Sequence, residues 1–595
     1  MPTTPQIEPF ALFDDATWPD RPALLLSGSQ GLIEAWTAGD VDGALAAVEA
    51  GAARGLMAAG YCAYELGYVF ERRLQHLMPA TGRPLLRFHL FENRQRLGAR
   101  ARSEWLGARV GGEAIDGVVS PSLDEAGHRV KVERVRQLIG DGDVYQVNLT
   151  FKLRGGSGDP FATYIALREK ARSGGCAFLR FGDEDILSFS PELFFRAAGA
   201  RISARPMKGT AARGPSIEDD ARQRSALLAD EKQRAENLMI VDLLRNDLAR
   251  VARPGSVEVT DLFTTETYPR FHTLTSGVEA ELTPDVSFAA IVRSLFPCGS
   301  VTGAPKIRAM EIIREVEDGP RGVYCGAIGY VARGAMAFNV GIRTISLRDG
   351  TAEMGVGGGI VWDSEPSSEY AECLLKARFL TEAQEPFRLI ETMRWVQGEG
   401  FHLLERHLAR LRVSSRYFGF RCDDVRVRKA LSRAVQTLEG VQRVRLTLGA
   451  AGDVEVEVEA ITLPAPGTVW RYAIAEERVN SRDWQFHHKT TLRGLYDRVF
   501  AERRAATGCD EVVLLNERGE VTEGSRTSVF VERDGVWLTP PLSCGALDGC
   551  LRREMIEAGA PRVEERVLYP ADLESGQVWF GNALRGLVRA CAVEA

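Results

Sequence analysis

The chain has 595 residues, 45% of them hydrophobic and 26% charged, and a formal net charge of −7. That length exceeds what one hydrophobic core supports, so two or more domains are expected. The negative balance argues against a nucleic-acid footprint, and ten cysteines without a CxxC pair or zinc spacing argue against a disulfide scaffold or zinc site.

The N-terminus, MPTTPQIEPFALFDD, has no basic run followed by an apolar one, and no apolar stretch reaches 18 residues. A cytoplasmic chain without leader or membrane span is therefore expected. The first 115 residues or so carry few motifs apart from GYCAYELGY (60–68) and read as the opening of the first large domain. Strands are predicted at 176–182, 186–190, 326–332 and 444–450 from short β-rich runs. Between them, RPMKGTAARG (205–214) sets Lys208 on a stiff, sharply turned backbone. Read alone, that lysine is a solvated loop residue, as most lysines are.

The spacing predicts a helix over 236–252 that opens on Glu236. Further on, GVGGGIVWD (355–363) offers backbone N–H groups for close approach to an anion. A helix then starts at Pro366. Glu369 and Glu372 stand one turn apart on it, so both face one side. Such a pair is usually a solvated face, yet carboxylates converging from separate segments suit a hard cation such as Mg²⁺. The domain break is expected in TEAQEPFRLIET (381–392).

Eight motifs, taken in order, resemble the chorismate-binding enzymes over about residues 120–380. They are GDVYQVNLT (142–150), SFSPELFF (188–195), RPMKGTAARG, AENLMIVDLLRND (235–247), LFPCGSVTGAPKIRAMEII (295–313), VYCGAIGY (323–330), GIRTI (341–345) and GVGGGIVWDSEPSSEYAE (355–372). The resemblance implies an α/β (α+β) fold around a Mg²⁺-dependent chorismate site. It makes Glu236 and Glu372 direct metal ligands, with Glu369 acting through water. Tyr324 and Arg343 match residues that hold a substrate carboxylate, a group a guanidinium fork suits. Thr302 and the backbone of Gly357, Gly358 and Gly359 match further substrate contacts.

Within that family, members that form anthranilate carry alanine where Lys208 stands, and members that form aminodeoxychorismate carry Pro-x-Lys-Gly-Thr. The resemblance therefore implies Lys208 as a nucleophile at C2 of chorismate and Glu192 as the acid for the departing C4 hydroxyl. His272 lies four residues before Ser276, where the anthranilate-forming pattern needs three, so it receives no role.

From residue 387 a second pattern begins. FHLLERHLARLRVSSRYFGF (401–420) reads as an amphipathic helix carrying Arg410, and FHHKTTLRGLYDR (486–498) sets Lys489 after two histidines. Residues 511–541 read as strand, turn at 518–519, strand, turn at 534–535, strand, with Glu523 ending the second strand. GALDGCLRREM (545–555) places glycines at a helix start, a natural phosphate seat. Together these resemble the class IV pyridoxal-phosphate enzymes over 387–595. That resemblance implies Lys489 as the cofactor-holding lysine, Glu523 at the pyridine nitrogen, and Arg410 with the Gly549, Cys550 and Leu551 backbone at the phosphate. Arg585, in NALRG (582–586), matches a substrate-carboxylate contact. Ser528 and Leu551 depart from the transaminase pattern, and Leu551 resembles the aminodeoxychorismate lyases.

The two resemblances divide the chain at 1–382 and 387–595 and imply one route, chorismate to 4-aminobenzoate for folate synthesis, with Mg²⁺ and pyridoxal 5'-phosphate. No stretch resembles a glutamine amidotransferase, so a separate ammonia-supplying subunit is the expected partner. Whether the second domain pairs with another copy stays open. The alternatives are an anthranilate-forming first half fused to a general amino-acid transaminase, and a non-catalytic chorismate-binding scaffold.

Overall fold

The computed structural model describes residues 8–593 except 19, 118, 269–270 and 382–384. Two compact units emerge: Met1–Ala212 with Arg224–Gln384, and Arg213–Gln223 with Glu385–Ala595. The expected break at 381–392 falls partly outside the described residues.

The first unit is built on one 18-stranded sheet among the described residues. The motif-poor N-terminal part is woven into it. Phe10–Asp14 pairs with Gly175–Arg180, and Met57–Cys62 pairs with Ala327–Ala332. The glycine-rich run is a strand, Thr351–Ile360, antiparallel to Gln146–Gly156 along its whole length. Lys208 stands on the strand Met207–Ala212, paired with Phe271–Glu281. The register shifts between Lys208 and Thr210, where Gly209 has φ +83°. So the lysine sits beside a bulge in a sheet, not on a free loop, and a bulge re-aims the neighbouring side chain.

Apolar residues that alternate along these strands meet the helices in the core. Phe338 stacks between Phe195 and Phe288 at centroid distances of 5.1 and 5.6 Å. Each such ring, fully buried, contributes roughly 1.5–3 kcal/mol. The helix Pro366–Thr381 starts on its proline as expected and buries Cys373, Ala377, Phe379 and Leu380. The helix expected to open on Glu236 opens earlier, at Glu231: the Asp230 carboxylate caps it by accepting the Gln233 N–H. Glu236 consequently lies in its second turn.

In the second unit, Leu389–Val396, Gly400–Phe401, Val441–Leu448 and Val454–Ala460 form an antiparallel four-stranded sheet. The helices Leu404–Phe418 and Asp424–Val435 bury Leu408, Leu411, Val427 and Leu431 in its core. An eight-stranded sheet follows, mixed because Val469–Val479 runs parallel to both Glu511–Asn516 and Gly586–Ala592. The second strand expected in 511–541 is broken into Val521–Gly524 and Ser528–Arg533, which pair with different neighbours. Glu523 therefore belongs to the shorter piece.

The segment Arg213–Gln223 packs in this unit. The Arg213 guanidinium grips both Asp220 oxygens at 2.6 and 2.9 Å and lies 4.2 Å over the Tyr417 ring. The Tyr417 hydroxyl donates to the Gly214 carbonyl at 2.9 Å. No helix among the described residues is long and apolar enough to cross a membrane.

Candidate active sites

The glycine strand is the floor of the first site. A Cβ on Gly358 would stand 3.0 Å from Glu369 Oε2 and 4.0 Å from Lys376 Nζ. A Cβ on Gly359 would stand 2.1 Å from Gln146 Nε2 and 3.2 Å from Lys208 Nζ. The missing side chains thus make the room that these groups fill. Tyr324 lays its ring against Gly355, and Lys376 donates to the Gly357 carbonyl at 2.8 Å.

Charge is arranged around Lys208. Burial pulls its amine below the usual lysine range, opposed by Glu236, Glu192 and Glu372 and aided by Lys376. Glu192 is 3% exposed, and burial pushes its carboxyl up to about 7, although Ser300 Oγ donates to Oε1 at 2.6 Å and Lys208 pulls it down. A carboxyl that keeps its proton near neutrality is suited to general-acid work.

Burial also raises Glu236 and Glu369, the latter despite a 2.6 Å bond from Ser364 Oγ. Glu372 is lowered instead, because Lys376 Nζ stands 2.9 Å from its Oε1. The side chains of Glu372 and Lys376 remain 44% and 37% exposed, open to whatever enters. An all-oxygen set with two carboxylates under burial stress fits a hard dication. The three carboxylates do not yet share one coordination sphere. Among the described residues, the group whose ligand atoms all lie within 4.8 Å of one another is Glu391, His407 and Cys550, in the other unit.

Two expected substrate contacts are engaged with protein. Thr302 is buried, with its hydroxyl donating to the Cys298 carbonyl at 2.9 Å. Arg343, at φ +49°, lies 4.6 Å over the Phe271 ring. His272 is buried in its strand, with Nδ1 3.0 Å from the Thr267 hydroxyl.

In the second unit a cavity of about 360 Å³ gathers Lys489, Glu523, Arg410, Gly549, Cys550, Leu551 and Arg585 from five separate segments. Burial brings the Lys489 amine down to about 8, helped by Arg493 and Arg410. Glu523 is pushed up to about 7 by burial, while the Tyr496 hydroxyl and the Leu547 N–H donate to it. Gly549 is the N-cap of the helix Cys550–Ala558, whose free N–H groups open on the cavity. Against burial, Arg410 is raised by Cys550 and Glu391, and it also donates to the Asp548 carbonyl at 3.0 Å. Arg585 is lowered by burial and then by Arg526, with Glu511 opposing. A buried amine, a carboxyl, an arginine and a helix N-terminus around one cavity fit pyridoxal phosphate by the chemistry of each end.

Sequence reasoning missed several members. Lys376 stands at i+4 from Glu372, a spacing that does predict a pair. Gln146, 1% exposed and with an unpartnered Oε1, had no signal beyond its motif. Ser300 and Glu391 join their partners only through the fold.

The family described as chorismate binding enzyme matches residues 20–382, and that described as amino-transferase class IV matches residues 388–593. An aminodeoxychorismate synthase of Streptomyces pristinaespiralis is 48% identical over 254 residues, 42% of this chain and 35% of its own length. The aminodeoxychorismate synthase component 1 of Escherichia coli (strain K12) is 42% identical over 257 residues, 43% of this chain and 57% of its own. The chain therefore spans between a third and three fifths of these relatives. Anthranilate synthase component I of Streptococcus pneumoniae TIGR4 superposes with a TM-score of 0.53 at 28% identity, over 61% of this chain and 93% of that one.

Proposed function

This chain belongs to the chorismate-binding enzyme family, and we propose that it makes 4-aminobenzoate in two steps, one in each unit. The observation that carries the reading is Lys208: an amine that burial pulls below the usual lysine range, standing over the floor strand beside Gly359 and coupled to a carboxyl pushed up to about 7.

In the first step the neutral Lys208 amine bonds to C2 of chorismate, the two conjugated ring double bonds shift toward C4, and the C4–O bond breaks. Glu192 gives its proton to the departing hydroxyl, which leaves as water. Ammonia then bonds to C4 and the C2–N bond breaks, freeing Lys208. Glu236 and Glu372 would hold Mg²⁺, with Glu369 assisting through water, and the ion would neutralise substrate carboxylates. Arg343 and Tyr324 orient the substrate, and Thr302 with the backbone of Gly357–Gly359 shapes the floor beneath it.

In the second step Lys489 removes the proton at C4 and returns one to the departing three-carbon unit, which leaves as pyruvate. Pyridoxal phosphate, when bound, supplies the electron sink. Glu523 would face its ring nitrogen, Arg410 and the Gly549–Leu551 backbone would hold its phosphate, and Arg585 would meet a substrate carboxylate. Aromatisation drives the step. A separate glutamine amidotransferase supplies ammonia, and the route runs in the cytoplasm.

The test is to incubate the purified chain with chorismate, Mg²⁺, ammonium and pyridoxal phosphate and to identify the aromatic amine. 4-Aminobenzoate is expected. Anthranilate as the main product overturns the Lys208 reading, and absence of turnover favours a binding scaffold.

A further inference from the structure

Glu391 lies outside every motif, yet it sits at the centre of a buried polar chain. It is 2% exposed on the strand Leu389–Val396. Its Oε1 accepts Arg410 Nε at 2.9 Å and its Oε2 accepts Arg410 Nη2 at 2.6 Å. The same Oε2 lies 2.6 Å from His407 Nδ1, and that nitrogen is 3.5 Å from Cys550 Sγ. His407 and Arg410 are three apart on the helix Leu404–Phe418, so they share a face, and both line the cavity.

The donor count is informative. A guanidinium has five N–H groups. Glu391 takes two and the Asp548 carbonyl takes a third, which leaves one on Nη1 and one on Nη2. A buried bidentate pair fixes the plane of the fork, and hence the direction of the two that remain. The chain through His407 reaches Cys550, the first residue of the helix whose N-terminus faces the same space.

We propose that Glu391 is the positioning residue of the phosphate seat: one buried carboxylate locks Arg410 directly and, through His407, ties the arginine to the N-terminus of the helix Cys550–Ala558, so that both donor sets meet one phosphate monoester. A metal held by Glu391, His407 and Cys550 is the competing use of the cluster. It is disfavoured because Arg410 already occupies both carboxylate oxygens and places a cation where the ion would stand.

The inference rests on the reading that this cavity takes pyridoxal phosphate. The experiment titrates the full-length chain and Glu391→Gln with pyridoxal phosphate and, separately, with pyridoxal, following the visible absorbance. Loss of one charge-assisted bond and of the fork's alignment predicts a drop of about 10- to 100-fold in affinity for the phosphorylated ligand. Affinity for pyridoxal should stay within about 2-fold, and chorismate turnover in the same chain should be unchanged. Equal losses for both ligands, unchanged binding of pyridoxal phosphate, or tighter binding on removal of the negative charge overturns the inference. Stoichiometric Zn²⁺ retention by the wild type would do the same. If Glu391→Gln does not fold, His407→Gln serves: it cuts the link to Cys550 and should give a several-fold loss confined to the phosphorylated ligand, and no loss overturns the link. A wild type that binds no pyridoxal phosphate sinks the functional reading instead.

Discussion

The two sites differ in how their charges are balanced. In the second unit one buried carboxylate is already held by protein groups: Glu391 is kept at about 2 against burial by Arg410 and His407, while Glu523 and Lys489 stay shifted by burial. In the first unit Glu236 and Glu369 are raised by burial, and Lys208 is lowered by it. A carboxylate that only orients its neighbours can be satisfied by protein groups alone, whereas buried amines and carboxyls left shifted are groups that a ligand can still satisfy.

The sharpest way to break this comparison is Lys208→Ala. It should abolish nitrogen transfer to C4, a loss of at least about 10³-fold by analogy with other removed nucleophiles, while pyridoxal phosphate binding in the second unit stays intact. A mass spectrum of the product mixture and an absorbance titration read both. Lys489→Ala is the mirror experiment: the visible cofactor band and pyruvate release should vanish, and aminodeoxychorismate should accumulate. If Lys208→Ala loses pyridoxal phosphate binding, or Lys489→Ala loses chorismate turnover, the sites are not independent.

Glu192→Gln should cost about 10²–10⁴-fold in the first step. Its pH profile carries a sign. A carboxyl at about 7 is protonated below that pH and cannot donate above it, so the wild-type rate should fall as pH rises through about 7. The variant should lack that limb. Ser300→Ala is the gentlest change. The Ser300 bond lowers Glu192, so its removal should raise the carboxyl further and move the falling limb to higher pH, with a modest effect on rate at pH 6. A limb that moves down, or stays, would show that Glu192 is not the titrating acid.

Much of both sites was legible in the sequence because the relevant residues lie in short ordered motifs. Lys208, Gly359 and Glu369 stand in three motifs, and the fold brings the Lys208 and Glu369 side chains over the glycine strand. All seven residues expected around pyridoxal phosphate line one cavity. What escaped is of two kinds. Local capping defeated periodicity at Asp230, which moved the helix start away from Glu236. Partnership across long separations left no trace: Ser300 with Glu192 is 108 residues apart, and Cys550 with His407 is 143. Apolar patterning could not reveal the break at 525–527 either, since the residues on both sides of it are buried and strand-like.

The second compact unit is not one continuous stretch of chain: it includes Arg213–Gln223, whose arginine stacks on Tyr417. Tyr417 in turn packs 4.2 Å from His488, the residue before Lys489. A gene cut after residue 384 would therefore yield a downstream piece short of part of its own wall. Fusions of two enzymes are commonly thought of as cassettes, separable at the linker. Here eleven residues, encoded five codons after Lys208, bind the two reading-frame halves into a single inheritance, so that fission would have to rebuild a wall as well as break a linker.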